Sequence, residues 1–356
     1  MKVSKRNGSK LSQIDFSNLT FGKYYTDHML VKKYMDGAWQ ESEIVPYENF
    51  PISPANITLH YGQSIFEGMK AFRGEDGIVR LFRPERNIAR LNTSAERMAI
   101  PEMPDEEKTL NELIELVTMD QDFTPPHLGS SLYIRSFIFA MDPTLGVKIS
   151  DTYRYMVIMT PVDAYYGKNL KTLSIYATSE FTRAALGGTG HVKAAANYAQ
   201  SLYAAKKAQE KGYKQIMWLD FKEHKYVDEV GTMNMMFVIN GTLITPTLEQ
   251  GTILNGITRD SVLTLARDLG WKVEERRIAL DEIVEASKKG KLDDCFGTGT
   301  AATIAPVGRI GRDDGDDIVI NGGEVGPFAK KMYEQLLGIQ YGKLEDKYGW
   351  TVEINK

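Results

Sequence analysis

The chain has 356 residues, enough for two domains with full cores, and its 42% hydrophobic and 25% charged content is that of a soluble globular protein. A formal net charge of −4 leaves no basic footprint for nucleic acid, and no window approaches the roughly 18 apolar residues of a membrane span. The single cysteine, Cys295, excludes an intramolecular disulfide framework and suits a reducing compartment, so a cytoplasmic protein is expected.

Lys2, Lys5, Arg6 and Lys10 are followed by no apolar run, so no secretory signal is expected, and residues 1–15 are expected to form a mobile arm. Residues 31–34 and 38–39 flank Asp36-Gly37, a dipeptide that supplies a positive-φ turn, and predict a hairpin. Ser64 invites a nucleophile-elbow reading, but Gly-x-Ser-x-Gly requires glycine where Phe66 stands, so that hydrolase motif is absent. Residues 78–82 read as a strand. Ile88, Leu91, Ala95 and Met98 then recur at helical spacing, one face of a helix ending near Pro101. Arg90 lies beside that stripe, and the pattern leaves open a stem packed at the surface or a ligand contact. Leu110, Leu113, Ile114 and Val117 mark a second helix. Residues 131–140 alternate, with Tyr133, Arg135, Phe137 and Phe139 on one strand face, which fits a pocket lining and a solvated sheet equally. Residues 153–160 predict a further strand, and 161–168 break the pattern at a domain boundary.

Residues 173–178 open the second half. Gly187-Gly188-Thr189-Gly190-His191-Val192-Lys193 follows, then Ala194-Ala195-Ala196-Asn197-Tyr198. Lysine normally keeps its ammonium in water; burial among small apolar side chains lowers its pKa and turns it into a nucleophile or base. Taken alone, the stretch is equally an ordinary surface lysine at the mouth of a loop. Tyr198, Leu202, Ala205 and Ala208 mark a helix closed by Gly212. Strands are expected at 215–220, 226–227 and 235–239, the last turned by Asn240-Gly241 into 242–245. Thr258 is the expected N-cap of a helix carrying Val262, Leu265 and Ala266, whose first-turn amides suit a phosphate. Gly297-Thr298-Gly299-Thr300-Ala301 has the small residues that let backbone amides approach a ligand. Residues 312–317 have neither the spacing nor the length of a calcium loop and read as a solvated turn. Pro327 starts a last helix with Phe328, Met332 and Leu336 inward.

The second half thus offers a lysine, an acid and two phosphate-type loops, while five scattered histidines show no metal spacing and no metal is expected. A nucleoside-triphosphate P-loop needs Gly-Lys-Ser/Thr adjacent, and His191-Val192 separates Gly190 from Lys193. Pyridoxal phosphate is the other chemistry that joins lysine to anion-binding glycines. It also requires a partner for the pyridine nitrogen, a donor to the ring oxygen and a phosphate cup, which Glu229, Tyr198 and the loops at 256–258 and 297–300 would supply.

At these residues the chain resembles the branched-chain amino-acid aminotransferases, fold-type IV pyridoxal-phosphate enzymes. The resemblance rests on Lys193-x-x-x-Asn197-Tyr198, on Glu229-Val230-Gly231-Thr232-Met233-Asn234, on Gly256-Ile257-Thr258-Arg259 and on Gly297-Thr298-Gly299-Thr300-Ala301. In the first half, Leu59-His60-Tyr61-Gly62, Phe66-Glu67-Gly68-Met69-Lys70-Ala71 and Ser131-Leu132-Tyr133-Ile134-Arg135 agree in order.

The resemblance implies a two-domain α/β (α+β type) subunit. Its parts would be an N-terminal open α/β domain at 1–165, a linker at 166–172 and a C-terminal pseudo-barrel domain at 173–356, with the cofactor in the cleft between domains. Lys193 would hold pyridoxal 5'-phosphate and shuttle a proton, Glu229 would pair with the pyridine nitrogen, and Tyr198 would hydrogen-bond the phenolic oxygen. Arg90 would grip the phosphate with the amides of Ile257 and Thr258 and the Thr298 hydroxyl. Thr300 and Ala301 would receive the substrate α-carboxylate. Phe66, Tyr133, Tyr165 and Thr232 would shape an apolar pocket, with Tyr61, Leu145 and Val147 reaching in from the second subunit of a homodimer. Arg135 would hold the second carboxylate of glutamate.

The implied activity is reversible ping-pong transfer of the amino group of leucine, isoleucine or valine to 2-oxoglutarate. A D-amino-acid aminotransferase and a cofactor-free binding protein on the same scaffold are the alternatives. Departures from the family pattern are Ala195-Ala196, where two glycines are usual, and Asp163 in place of a glycine. Ala302 and Ala305 stand where some members carry a Cys-x-x-Cys pair.

Overall fold

The computed structural model describes residues 1–163 and 170–354. Two compact units make up the chain: Met1–Tyr165 with Lys193–Ala196 and Leu337–Lys356, and Tyr166–Val192 with Asn197–Leu336. The linker expected at 166–172 lies largely outside the described residues. Among the described residues no helix is long and apolar enough to cross a membrane.

In the first unit the strands, numbered along the chain, are β1 (Lys2–Val3), β2 (His28–Met35), β3 (Ala38–Trp39), β4 (Glu43–Pro46) and β5 (Ser64–Arg73). They continue with β6 (Val79–Phe82), β7 (Ser131–Ala140), β8 (Tyr153–Val162) and the late β18 (Thr351–Ile354). They form an open sheet in the order β1-β4-β2-β8-β7-β5-β6-β18, with β3 paired to β2 through a turn at Asp36 and Gly37, both at positive φ. Alternation decides the two faces. Leu132, Ile134 and Ile138 pack with Ile88, Leu91 and Ala95 of helix Pro84–Arg97 and with Leu113 and Leu116 of helix Glu106–Met119. Phe139 on the opposite face packs with Met29 and Met156.

Two expectations change here. Residues 1–15 are tied down: β1 pairs parallel to β4, Arg6 N–H donates to His28 Nε2, and Lys10 N–H donates to Asp27 Oδ1. The chain end likewise leaves the second half, because β18 pairs antiparallel to β6 and so places Leu337–Lys356 with the first unit. Neither long-range pairing has a local sequence signal.

The second unit holds β9 (Leu173–Thr178), β10 (Gln215–Leu219), β11 (Val227–Val230), β12 (Met233–Ile239) and β13 (Thr242–Thr245). β14 (Lys272–Glu275), β15 (Leu292–Gly299), β16 (Thr303–Gly311) and β17 (Ile318–Val319) complete it. The order β11-β10-β9-β16-β15-β12, closed by a β11–β12 pairing, makes a ring of six strands. Ile175, Met217, Met235, Phe237 and Val307 share one buried cluster. Tyr176, Ile216 and Trp218 face a second, covered by Ala204 and Ala208 of helix Ser201–Glu210. That helix starts three residues after Tyr198, behind a separate short helix Ala195–Ala199, and it leaves Leu202 exposed. Of the expected stripe Ala208 is buried, while Ala204 takes the inward place expected of Leu202.

Candidate active site

In the first unit β6 pairs with β5 only from Ala71 onward, so the earlier half of β5 has an open edge. The lysine stretch takes it: Phe66 N–H donates to Lys193 O at 3.1 Å, and Ile65 and Ala194 form an isolated bridge. Lys193 N–H donates to Ser94 Oγ at 3.1 Å, so helix Pro84–Arg97 holds the same residue from a second side. The Lys193 Nζ lies 4.7 Å from the centre of the Phe66 ring. Its position is over-determined by backbone contacts that do not need its side chain.

One turn earlier on that helix is Arg90, and the sequence pattern missed its partner. Arg90 Nε donates to Glu67 Oε1 at 2.7 Å and Nη2 to Oε2 at 2.9 Å, a side-on ion pair. Asn87 Nδ2 adds a third hydrogen bond at 2.8 Å, and Glu67 is completely buried. Burial alone would raise the Glu67 carboxyl. The Arg90 guanidinium, the Lys193 ammonium and Asn87 outweigh it and hold the carboxyl below its ordinary range.

Phe66 and Gly68 project to the other face of β5. Arg135, opposite Gly68 in the ladder, sets its guanidinium carbon 4.4 Å from the Phe66 ring centre and donates to Tyr133 Oη at 2.9 Å. A Cβ on Gly68 would overlap the Tyr133 hydroxyl, so glycine is needed there for the ring to lie flat on the strand. Phe66, Tyr133, Arg135 and Lys193 thus lie together, and the strand face is packed by rings rather than fully solvated.

In the second unit Glu229 and Asn234 are ladder partners at the β11–β12 turn. Glu229 is 3% exposed; its Oε1 accepts from Leu254 N–H at 2.9 Å and from Asn234 Nδ2 at 3.2 Å. Arg183 Nε lies 3.2 Å from Glu229 Oε2. Glu229, Arg183, Tyr198, Thr232 and Leu254 line one small concavity. At Gly190 a Cβ would overlap Ala184 and the Thr252 carbonyl, so glycine permits close packing.

Asn234 also connects the phosphate-type loops. It faces Thr298 in the β12–β15 ladder, and its side-chain oxygen occupies the space a Cβ on Gly256 would need. Gly256, at φ −72° and ψ 129°, is therefore the N-cap of helix Ile257–Asp268, and the expected cap Thr258 is its second residue. Thr298 is 1% exposed, and among the described residues its Oγ1 has no hydrogen-bond partner. A buried hydroxyl left over near a helix N-terminus is the arrangement an anion completes. Thr300 and Ala301 lie in the half-buried turn between β15 and β16.

The neighbouring Asp228 is 6% exposed, and its Oδ2 has no hydrogen-bond partner among the described residues. Burial, opposed by Arg183 and reinforced by Glu229 and Asp220, pushes its carboxyl up to about 7. Unfolded, the same group releases its proton near 3.8. The folded state keeps a proton between these values that the unfolded state lacks, so stability falls as pH rises across that window. Asp228→Asn is expected to remove this loss and raise the unfolding temperature at about pH 8, with little effect near pH 4, in thermal scans across the range.

Tyr61, Leu145 and Val147 do not join these residues. They lie together on an exposed apolar patch where the Tyr61 hydroxyl donates to the Leu145 carbonyl. Tyr165 lies outside the described residues. Among those described, no group of three or more His, Cys, Asp or Glu side chains could hold a metal ion.

The family model for Amino-transferase class IV matches residues 64–310, a span that contains Lys193, Arg90 and Glu229 and defines the class. The chain is 48% identical over 347 residues to Branched-chain-amino-acid aminotransferase 2 of Bacillus subtilis (strain 168), covering 97% of this chain and 95% of that one. Among solved structures it is similar to the T.th. branched-chain amino acid aminotransferase with pyridoxamine 5'-phosphate, at TM-score 0.75 and 28% identity over 91% of this chain and 98% of that one. The same enzyme complexed with N-(5'-phosphopyridoxyl)-L-glutamate gives a TM-score of 0.71 at 27% identity, with 91% and 98% covered. The chain belongs to the branched-chain-amino-acid aminotransferase family.

Proposed function

We propose that the protein transfers the amino group of L-leucine, L-isoleucine and L-valine reversibly to 2-oxoglutarate, by a ping-pong mechanism with pyridoxal 5'-phosphate as cofactor. The observation that carries the reading is Lys193, fixed through its backbone to Phe66 and Ser94 with its ammonium over an aromatic ring. The residues present fit the cofactor: the orphaned Thr298 hydroxyl and the first turn of helix Ile257–Asp268 suit its phosphate, and the buried Glu229 suits its pyridine nitrogen. Solved relatives carrying pyridoxamine 5'-phosphate and a phosphopyridoxyl-glutamate support the same choice.

Bound there, pyridoxal phosphate supplies an electron sink for the charge left on the substrate Cα when its proton departs. Lys193 Nζ takes that proton and returns it one position away. Glu229 keeps a proton on the pyridine nitrogen, and Tyr198 donates to the phenolic oxygen. Arg90, the amides of Ile257 and Thr258, and Thr298 bind the phosphate. Thr300 and Ala301 receive the α-carboxylate, while Phe66, Tyr133, Tyr165 and Thr232 exclude water from the aliphatic side chain. The reading includes a cytoplasmic homodimer in which the partner covers the apolar patch bearing Tyr61, Leu145 and Val147.

A pocket for leucine that also admits glutamate must neutralise a second carboxylate, since burying one unpaired would cost several kcal/mol, roughly. Arg135 is the group for this. Arg135→Ala is expected to lower kcat/KM for glutamate by about 2–3 kcal/mol of binding, roughly 30- to 150-fold, and for leucine far less, in parallel steady-state assays. The donor class is tested by incubating the purified protein with L-leucine or D-leucine and 2-oxoglutarate and measuring glutamate. Turnover of the D-isomer alone would favour the D-amino-acid reading.

A further inference from the structure

We propose that Arg183 is a positioning residue that keeps the Glu229 carboxylate ionised and aimed, so that Glu229 can hold the pyridine nitrogen of the cofactor. The inference rests on the proposed function for the role of Glu229, but the geometry is that of the second unit alone.

Glu229 is almost fully buried, and its two oxygens are served differently. Oε1 accepts from two neutral donors, Leu254 N–H and Asn234 Nδ2. Oε2 faces Arg183 Nε at 3.2 Å, a contact that counts as an ion pair but not as an aligned hydrogen bond. A cation at this range favours the charged form of a buried carboxylate. Arg183 is only 9% exposed and is itself held in place. Its Nη2 donates to Gly190 O at 3.0 Å and to the Thr252 carbonyl, and its own carbonyl accepts from the Gln200 side chain. The guanidinium plane is therefore fixed before any ligand arrives.

Local charge balance points the same way. Asp228 and Glu229 are consecutive and both buried, and Arg183 is the cation acting on Asp228. Removing Arg183 takes a cation away from both neighbouring carboxyls and favours their neutral forms. A neutral Glu229 would no longer favour a protonated pyridine nitrogen, which weakens the cofactor as an electron sink and its attachment to the protein. A cation here thus acts through Glu229 and touches no substrate.

The test compares Arg183→Gln and Arg183→Lys with the wild type. Pyridoxal-phosphate affinity of the cofactor-stripped protein is read by equilibrium dialysis, kcat and KM for leucine by steady-state assay, and folding by thermal scans. Arg183→Gln is expected to weaken cofactor affinity and lower kcat by about 10- to 100-fold each, the scale for removing a group that orients a ligand. KM for leucine should stay within about twofold, because only the transition state loses support. Arg183→Lys should recover a large part of both losses. Folded Gln variants with unchanged affinity and kcat would overturn the proposal. So would equal losses in both variants accompanied by a falling unfolding temperature, which mark a purely structural residue. Wild-type protein that takes up no pyridoxal phosphate would instead bring down the proposed function, and this inference with it.

Discussion

Lys193→Ala is expected to lower kcat by at least about 10⁴-fold with every amino donor while leaving the fold intact, since it removes the group proposed to move the Cα proton. The fold survives because the contacts fixing this residue run through its backbone: the carbonyl accepts from Phe66 and the amide donates to Ser94. Lys193→Arg separates charge from proton transfer. Arginine keeps a cation over the Phe66 ring, yet it stays protonated at any working pH and cannot take a proton. Both variants should therefore lose activity alike, with unfolding temperatures near that of the wild type. An active Lys193→Arg variant would mean that the ammonium serves only as a charge.

Arg90→Met has the largest expected effect on stability. It leaves the Glu67 carboxylate fully buried opposite an apolar side chain, and breaking a buried pair from one side costs about 3–5 kcal/mol. Chemical denaturation measures that loss directly. The double variant Glu67→Gln with Arg90→Met removes the stranded charge and should regain much of the stability, because the two residues act as one unit. It should not regain cofactor affinity if Arg90 holds the phosphate as proposed. The pH dependence carries a sign as well. The folded Glu67 carboxyl lies below its ordinary value of 4.5, so its contribution is complete above that value and is lost as pH falls through the folded one. Glu67→Gln should remove this acid-side loss and leave the neutral-pH slope to Asp228.

Local pattern carried a good part of the architecture. Helical spacing located the stripe of Ile88, Leu91 and Ala95, and period-two alternation separated Tyr133 and Arg135 from Leu132 and Ile134. It could not supply partners. Glu67 lies 23 residues before Arg90 on another element, and nothing in either segment announces a side-on pair. Arg183 stands in an irregular loop with no periodicity to single it out, although it faces Glu229. The cap of helix Ile257–Asp268 was misjudged for a related reason. Thr258 has the better capping chemistry, but the side chain of Asn234, remote in sequence, fills the space that only Gly256 leaves. The pairing of β18 with β6 and the docking of residues 1–15 are likewise contacts between distant segments. For Lys193 and Glu229 periodicity carried no signal, and only the order of the motifs singled them out as candidates.

The most direct measurement treats the purified protein with pyridoxal 5'-phosphate, reduces it with borohydride and maps the modified residue by peptide mass spectrometry. The expected result is visible absorbance before reduction, and afterwards the cofactor's mass on the peptide bearing Lys193 and on no other. A colourless protein that cannot be reconstituted, or a label spread over surface lysines and unaffected by Lys193→Ala, would contradict the assignment of Lys193 as the cofactor-bearing residue.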